Sequence, residues 1–146
     1  MEHAIQDFIK FKRIAVVGVP RGGKKFGNKI YNELKQRGYQ VYAVNPQIEE
    51  IAGEPCCPNL TALKDKVDSV VVCVPPQKTE QVLQDAAQSG LRRVWLQQGA
   101  ETPQLVEQAH KLGMDVVAGK CILMYAPPVK SFHNFHRFFV RLFGKL

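Results

Sequence analysis

The chain has 146 residues, 45% of them apolar and 23% charged, which is the size and composition of one globular domain and excludes a disordered or fibrous protein. Nowhere do enough apolar residues run together to cross a membrane, and Met1 to Arg13 carries no secretory signal, so a reducing cytoplasm is the expected compartment. The net charge of +7 is uneven: residues 1 to 119 hold 15 basic and 13 acidic groups, so the basicity belongs to the C-terminal stretch and one loop, and no nucleic acid is expected as a partner.

Ile5, Phe8 and Ile9 fall at helical spacing and predict a short amphipathic helix over residues 2–12. Ile14 to Val17 is a continuous apolar run ended by Gly18, the pattern of a strand buried on both faces. Asn28 to Arg37 is helical, with Gly38 as its stop. Val41 to Val44 is a strand ended by Asn45-Pro46. Ile48 to Val67 is less regular, with room for one very short edge strand near Gly53 to Pro58 and a helical turn at Leu60 to Lys64. Ser69 to Val74 is the strongest strand and ends in Pro75-Pro76. Thr79 to Gln88 is a helix, Arg93 to Gln97 a strand ended by Gly99, Pro103 to Lys111 a helix, and Met114 to Ala118 a last strand. Strands alternating with helices at this spacing predict a doubly wound, mostly parallel α/β sheet of five or six strands, Rossmann-like, in a single domain over 1–146.

In such a sheet the ligand lies beyond the carboxyl ends of the strands, where the strand order reverses. Those ends are Gly18 to Lys25, Asn45-Pro46, Val74-Pro75-Pro76 and Gln97-Gln98-Gly99. The loop from Gly18 to Gly27 joins a strand to a helix through four glycines, with Arg21, Lys24 and Lys25 adding cations. Glycines let the backbone approach a ligand and a helix start presents free amides, so this is a phosphate site. A nucleotide triphosphatase loop fails, because Lys25 stands where a Ser or Thr must hold magnesium. A nicotinamide dinucleotide site is disfavoured: Pro20 occupies the second glycine position, and Asn45 replaces the carboxylate that would hold the ribose hydroxyls. An uncharged position 45 also tolerates a phosphorylated ribose.

Four segments together carry a resemblance: Gly18-Val19-Pro20 before a basic glycine loop, Tyr39 to Pro46, Val71 to Pro75, and Val94 to Gly99. Over residues 10 to 125 the chain resembles the small bacterial and archaeal CoA-binding domain proteins, which are similar to the CoA-binding domain of the succinyl-CoA synthetase alpha subunit. The resemblance implies coenzyme A as ligand. It implies that Gly18, Val19, Pro20, Arg21, Gly22, Lys24 and Lys25 hold the diphosphate and that Asn45 and Pro46 lie beside the adenosine ribose. It further implies that Val74, Pro75 and Pro76 meet the adenine, and that Gln97, Gln98 and Gly99 face the pantetheine arm. Pro20 departs from the family, in which a small polar residue is common at that position.

None of the four histidines lies near a strand end, and no triad, carboxylate pair or metal spacing appears, so no catalytic residue and no metal are assigned. The expected function is a non-catalytic or regulatory protein that binds CoA or acyl-CoA. Two alternatives stand beside it: a thiol or acyl-CoA-dependent enzyme using Cys121, whose neighbour Lys120 would acidify the thiol, and an NAD or adenine-nucleotide module.

Residues 131–144 read as a C-terminal amphipathic helix. Phe132, Phe135, Phe138, Phe139, Leu142 and Phe143 form one stripe, with basic residues mostly opposite. Packing on this domain or on a second copy, as a homodimer, is the favoured reading over a membrane surface.

Overall fold

The computed structural model describes residues 2–20, 25–51 and 53–127. The expected helix over 131–144, and the site positions Arg21, Gly22 and Lys24, lie outside the described residues.

Strand β1 (Arg13–Val17) follows helix α1 (Glu2–Lys10) and leads into α2 (Phe26–Gln36). Then come β2 (Gln40–Val44), the short pair β3 (Glu50–Ile51) and β4 (Glu54–Cys57), and a 3-10 turn at Leu60–Leu63. β5 (Ser69–Val72), α3 (Pro76–Gln88), β6 (Arg93–Gln97), α4 (Pro103–Lys111) and β7 (Asp115–Lys120) complete the sheet, and a 3-10 turn at Ile122–Met124 follows. The strand order is β3-β4-β2-β1-β5-β6-β7, parallel throughout except for β3, which runs antiparallel to β4.

The sheet has seven strands among the described residues, against an expected five or six. The additional one comes from Glu50–Ile51 folding back on Glu54–Cys57 around Gly53, whose φ of 81° only glycine adopts without strain. Two other boundaries move. β5 stops at Val72, so Cys73 and Val74 lie in the loop beyond it, and α3 starts at Pro76 and not at Thr79. Proline suits that first helical position, since an N–H there has no intrahelical acceptor to lose.

Both sides of the central strands are buried, as their unbroken apolar runs predict. Ile14, Val16, Val71, Trp95 and Val117 pack on one side with Phe8, Tyr31, Leu34 and Ile122. Ala15, Val17, Val70, Val72, Val94, Leu96 and Val116 pack on the other with Leu60, Leu63, Leu83 and Leu105. The alternation of one strand, β1, thus feeds two cores. The chain builds outward from β1 through β2 to β4, then returns to the other side of β1 as β5, so the order reverses between β1 and β5.

Buried polar ties hold the outer layers in register. Arg37, at the end of α2, is buried and donates to the carbonyls of Leu123 (2.9 Å) and Ala126 (2.6 Å), fastening the segment that follows β7. Burial pushes its guanidinium below its ordinary value, and the Glu33 carboxylate opposes that shift. Trp95 donates its indole N–H to the Lys120 carbonyl at 2.8 Å, and the Tyr39 hydroxyl donates to the Ile9 carbonyl at 2.7 Å.

Candidate functional site

The site begins where β1 stops. Gly18 has φ 103°, and a Cβ built on it would lie 2.6 Å from the carbonyl oxygen of Cys73, which follows β5. The two strand ends flanking the reversal therefore touch through backbone alone. Gly27, in the first turn of α2, is packed just as closely: a Cβ there would lie 2.1 Å from the Gly18 oxygen. No rotation of a side chain relieves a clash with backbone, so both positions require glycine for steric reasons. The result is a helix start pressed against the end of the central strand, with first-turn amides that no intrahelical carbonyl takes.

Two side-chain amides shape the chain between them. Asn28, only 2% exposed, donates from Nδ2 to the Pro20 carbonyl at 2.7 Å and accepts the Lys25 amide on Oδ1 at 3.1 Å. Asn45, at the end of β2, donates to the Val19 carbonyl at 3.1 Å and accepts the Gln47 amide at 2.9 Å.

Beside this junction opens a cleft of about 360 Å³ lined by Phe26, Cys73, Val74, Pro75, Pro76, Gln97, Gln98, Gly99 and Ala100. Its two loops are pinned to each other by the buried Thr79, whose hydroxyl donates to the carbonyls of Ala100 (2.8 Å) and Pro75 (3.3 Å). Phe26 stands 50% exposed at the rim; it is the one large hydrophobic side chain exposed among the described residues. Gln97 is 1% exposed. Its Oε1 accepts the Ile122 amide at 3.1 Å, and its Nε2 has no hydrogen-bond partner among the described residues. A buried donor left unpaired costs about 1–3 kcal/mol, so this is a place where the protein alone is incompletely satisfied.

The structure brings six of the expected site residues together in that lining: Val74, Pro75, Pro76, Gln97, Gln98 and Gly99. Gly18, Val19, Pro20, Lys25 and Asn45 do not line it; Gly18 adjoins it through its close approach to Cys73. Val19 is fully buried, backbone included, and its carbonyl is taken by Asn45. Pro46 is exposed and does not line the cleft. Cys121 does not line it either; it packs against the core shared by Trp95 and Ile122.

Three cleft residues and the Asn28 tie escape a reading of the sequence. Cys73 reads as part of an apolar strand, yet the strand ends one residue before it and Cys73 lines the cleft with its thiol largely buried against the core. Burial pushes that thiol up to about 12, with the nearby Cys121 adding to the shift, so at neutral pH it is protonated. Phe26 and Ala100 carry no signal beyond their places next to glycines. Among the described residues no cluster of His, Cys, Asp or Glu could hold a metal ion, and no helix is long and apolar enough to cross a membrane.

Comparison with known proteins agrees with this geometry. A family model described as a CoA binding domain matches residues 12–127. The chain is similar to the alpha subunit of an ADP-forming acetate–CoA ligase II of Pyrococcus furiosus, with 29% identity over 126 residues, covering 79% of this chain and 28% of that one. It is also similar to the uncharacterized protein YneT of Bacillus subtilis, with 25% identity, covering 76% of this chain and 82% of that one. Among solved structures, a hypothetical protein of Pyrococcus horikoshii superposes with a TM-score of 0.77 at 29% identity, covering 84% of this chain and 87% of that one. The chain spans less than a third of the length of the ligase chains that it matches.

Proposed function

Since the chain belongs to the CoA-binding domain family, we propose that it binds coenzyme A or an acyl-CoA and does so as a non-catalytic or regulatory protein. The observation that carries this reading is the cleft itself. It opens over the ends of β5 and β6, next to the reversal of strand order and beside a glycine-tight helix start that favours an anion, and its wall holds the unpaired Gln97 amide.

In this reading the diphosphate lies at the β1–α2 junction, over Gly18, Val19, Pro20 and Lys25 together with Arg21, Gly22 and Lys24. Asn45 and Pro46 border the ribose, Val74 to Pro76 border the adenine, and Gln97 to Gly99 border the pantetheine arm. No carboxylate stands at the end of β2, which favours a phosphorylated ribose over the free hydroxyls of NAD. The whole chain acts as one unit in the cytoplasm, as a monomer or a homodimer.

Mass spectrometry of the intact complex, purified without added ligand, tests the reading directly: a mass adduct of CoA supports it. Titration calorimetry then compares CoA with NAD, and tighter binding of NAD would overturn it.

The ligase relatives favour a second reading, in which CoA is bound as the substrate of a larger ligase assembly. Formation of acetyl-CoA when the chain is supplied with separately purified ligase partner chains would select that reading over a regulatory one.

A further inference from the structure

We propose that Asn28 is a positioning residue for the anion site: with Asn45, it removes backbone carbonyls from the surface that meets phosphate. The inference rests on the reading of the β1–α2 junction as a diphosphate site.

Every residue of a phosphate-binding turn carries one N–H that attracts the ligand and one carbonyl that repels it. A turn becomes an anion site only when its carbonyls are directed elsewhere. Here two successive carbonyls are taken up by scaffold side chains: Val19 by Asn45 Nδ2 at 3.1 Å and Pro20 by Asn28 Nδ2 at 2.7 Å. Both amides are held in that orientation by a second bond, since each Oδ1 accepts a backbone N–H, from Lys25 in one case and Gln47 in the other. A flipped amide would set oxygen against oxygen and nitrogen against nitrogen at both ends, so the chemistry permits one orientation.

Asn28 has a further consequence because of its place in α2. It is the third residue of the helix, and its side chain satisfies the amide of the preceding Lys25, leaving those of Phe26 and Gly27 as first-turn donors without an intrahelical acceptor. Gly27 is the residue pressed against Gly18. One buried side chain therefore fixes where the strand end turns and where the helix begins, without needing to touch the ligand.

The test compares the wild-type chain with Asn28→Ala, Asn28→Ser and a control, Phe8→Leu, which removes core volume in α1. Dissociation constants are measured for CoA and for inorganic pyrophosphate, and thermal midpoints are recorded without ligand. The expected result is that Asn28→Ala weakens both ligands by about tenfold, in line with the loss of two hydrogen bonds. Asn28→Ser, which keeps a hydroxyl to donate or accept, loses less. Phe8→Leu lowers the thermal midpoint and leaves both constants unchanged. Should Asn28→Ala fail to fold, the Asn28→Ser result decides.

Unchanged constants in the Asn28 variants, alongside a lowered midpoint, would make Asn28 purely structural and overturn the inference while leaving the proposed function standing. Wild-type protein that binds neither CoA nor pyrophosphate would remove the site and the inference with it.

Discussion

The two edges of the sheet are built from opposite materials. At the amino edge, charges are present and spent on one another. Arg13, opening β1, grips the Asp68 carboxylate with two bonds of 3.0 and 2.7 Å. Arg93, opening β6, meets Asp7 at 2.9 Å and lies 3.6 Å over the ring of Phe11. At the carboxyl edge β1, β2 and β6 run into glycine, proline and neutral amides, and the buried donor Gln97 Nε2 goes unpaired among the described residues. Charges paired in this way are turned toward each other and away from any ligand. A helix start left uncovered beside a cleft offers its free amides to an anion. The difference between the edges points to the site more clearly than any single residue does.

Disturbing the carboxyl edge should have the largest effect. Gly27→Ala puts a methyl where only 2.1 Å separates it from backbone, and should cost about 3 kcal/mol in urea unfolding together with CoA binding. Arg37→Met comes next. It leaves the Leu123 and Ala126 carbonyls without their charged donor, and should lower stability by about 2 kcal/mol in the same assay. Because Arg37 lies away from the cleft, CoA affinity should change little, and a large loss would mean that the edges are coupled.

Gln97→Leu should cost about 1 kcal/mol, since the Ile122 amide loses its acceptor while the unpaired Nε2 disappears with it. CoA affinity should fall by more than stability does, measured by calorimetry beside the unfolding curves.

The smallest effect belongs to the amino edge. The guanidinium of Arg13 holds the Asp68 carboxyl below its ordinary value, so the pair stabilises the fold above the usual carboxylate range and that contribution vanishes as acid protonates the folded carboxylate. Arg13→Ala should therefore be slightly less stable than wild type at neutral pH. The two unfolding curves should converge as pH falls below about 4. A gap that persists at low pH would assign the stabilisation to packing and not to charge.

Much of this plan is legible in the sequence, for a physical reason. Ile14 to Val17 has no polar alternation, and only a strand covered on both faces accepts that. The glycines, prolines and amides beyond the strands announce the ligand edge before any coordinate does. What escapes is whatever depends on contacts distant in the chain or on marginal pairing. Glu50–Ile51 is two residues long and half charged, too short for a periodicity, and it becomes a strand only because Gly53 turns it onto β4. Val74 belongs to β5 by composition, yet the ladder ends at Val72 where Gly18 crowds Cys73. Asn28 looks like any polar residue of a helix; its partner carbonyl on Pro20 lies eight positions upstream, and no local pattern records it.

The Cys73 thiol lends the cavity a chemical temperament. Burial pushes its pKa up to about 12, so the thiol keeps its proton at neutral pH. Disulfide exchange and attack on a thioester both demand the ionised form. A thiol held in its neutral form is a poor nucleophile, so Cys73 serves the cleft wall as an apolar surface and not as a reactive group.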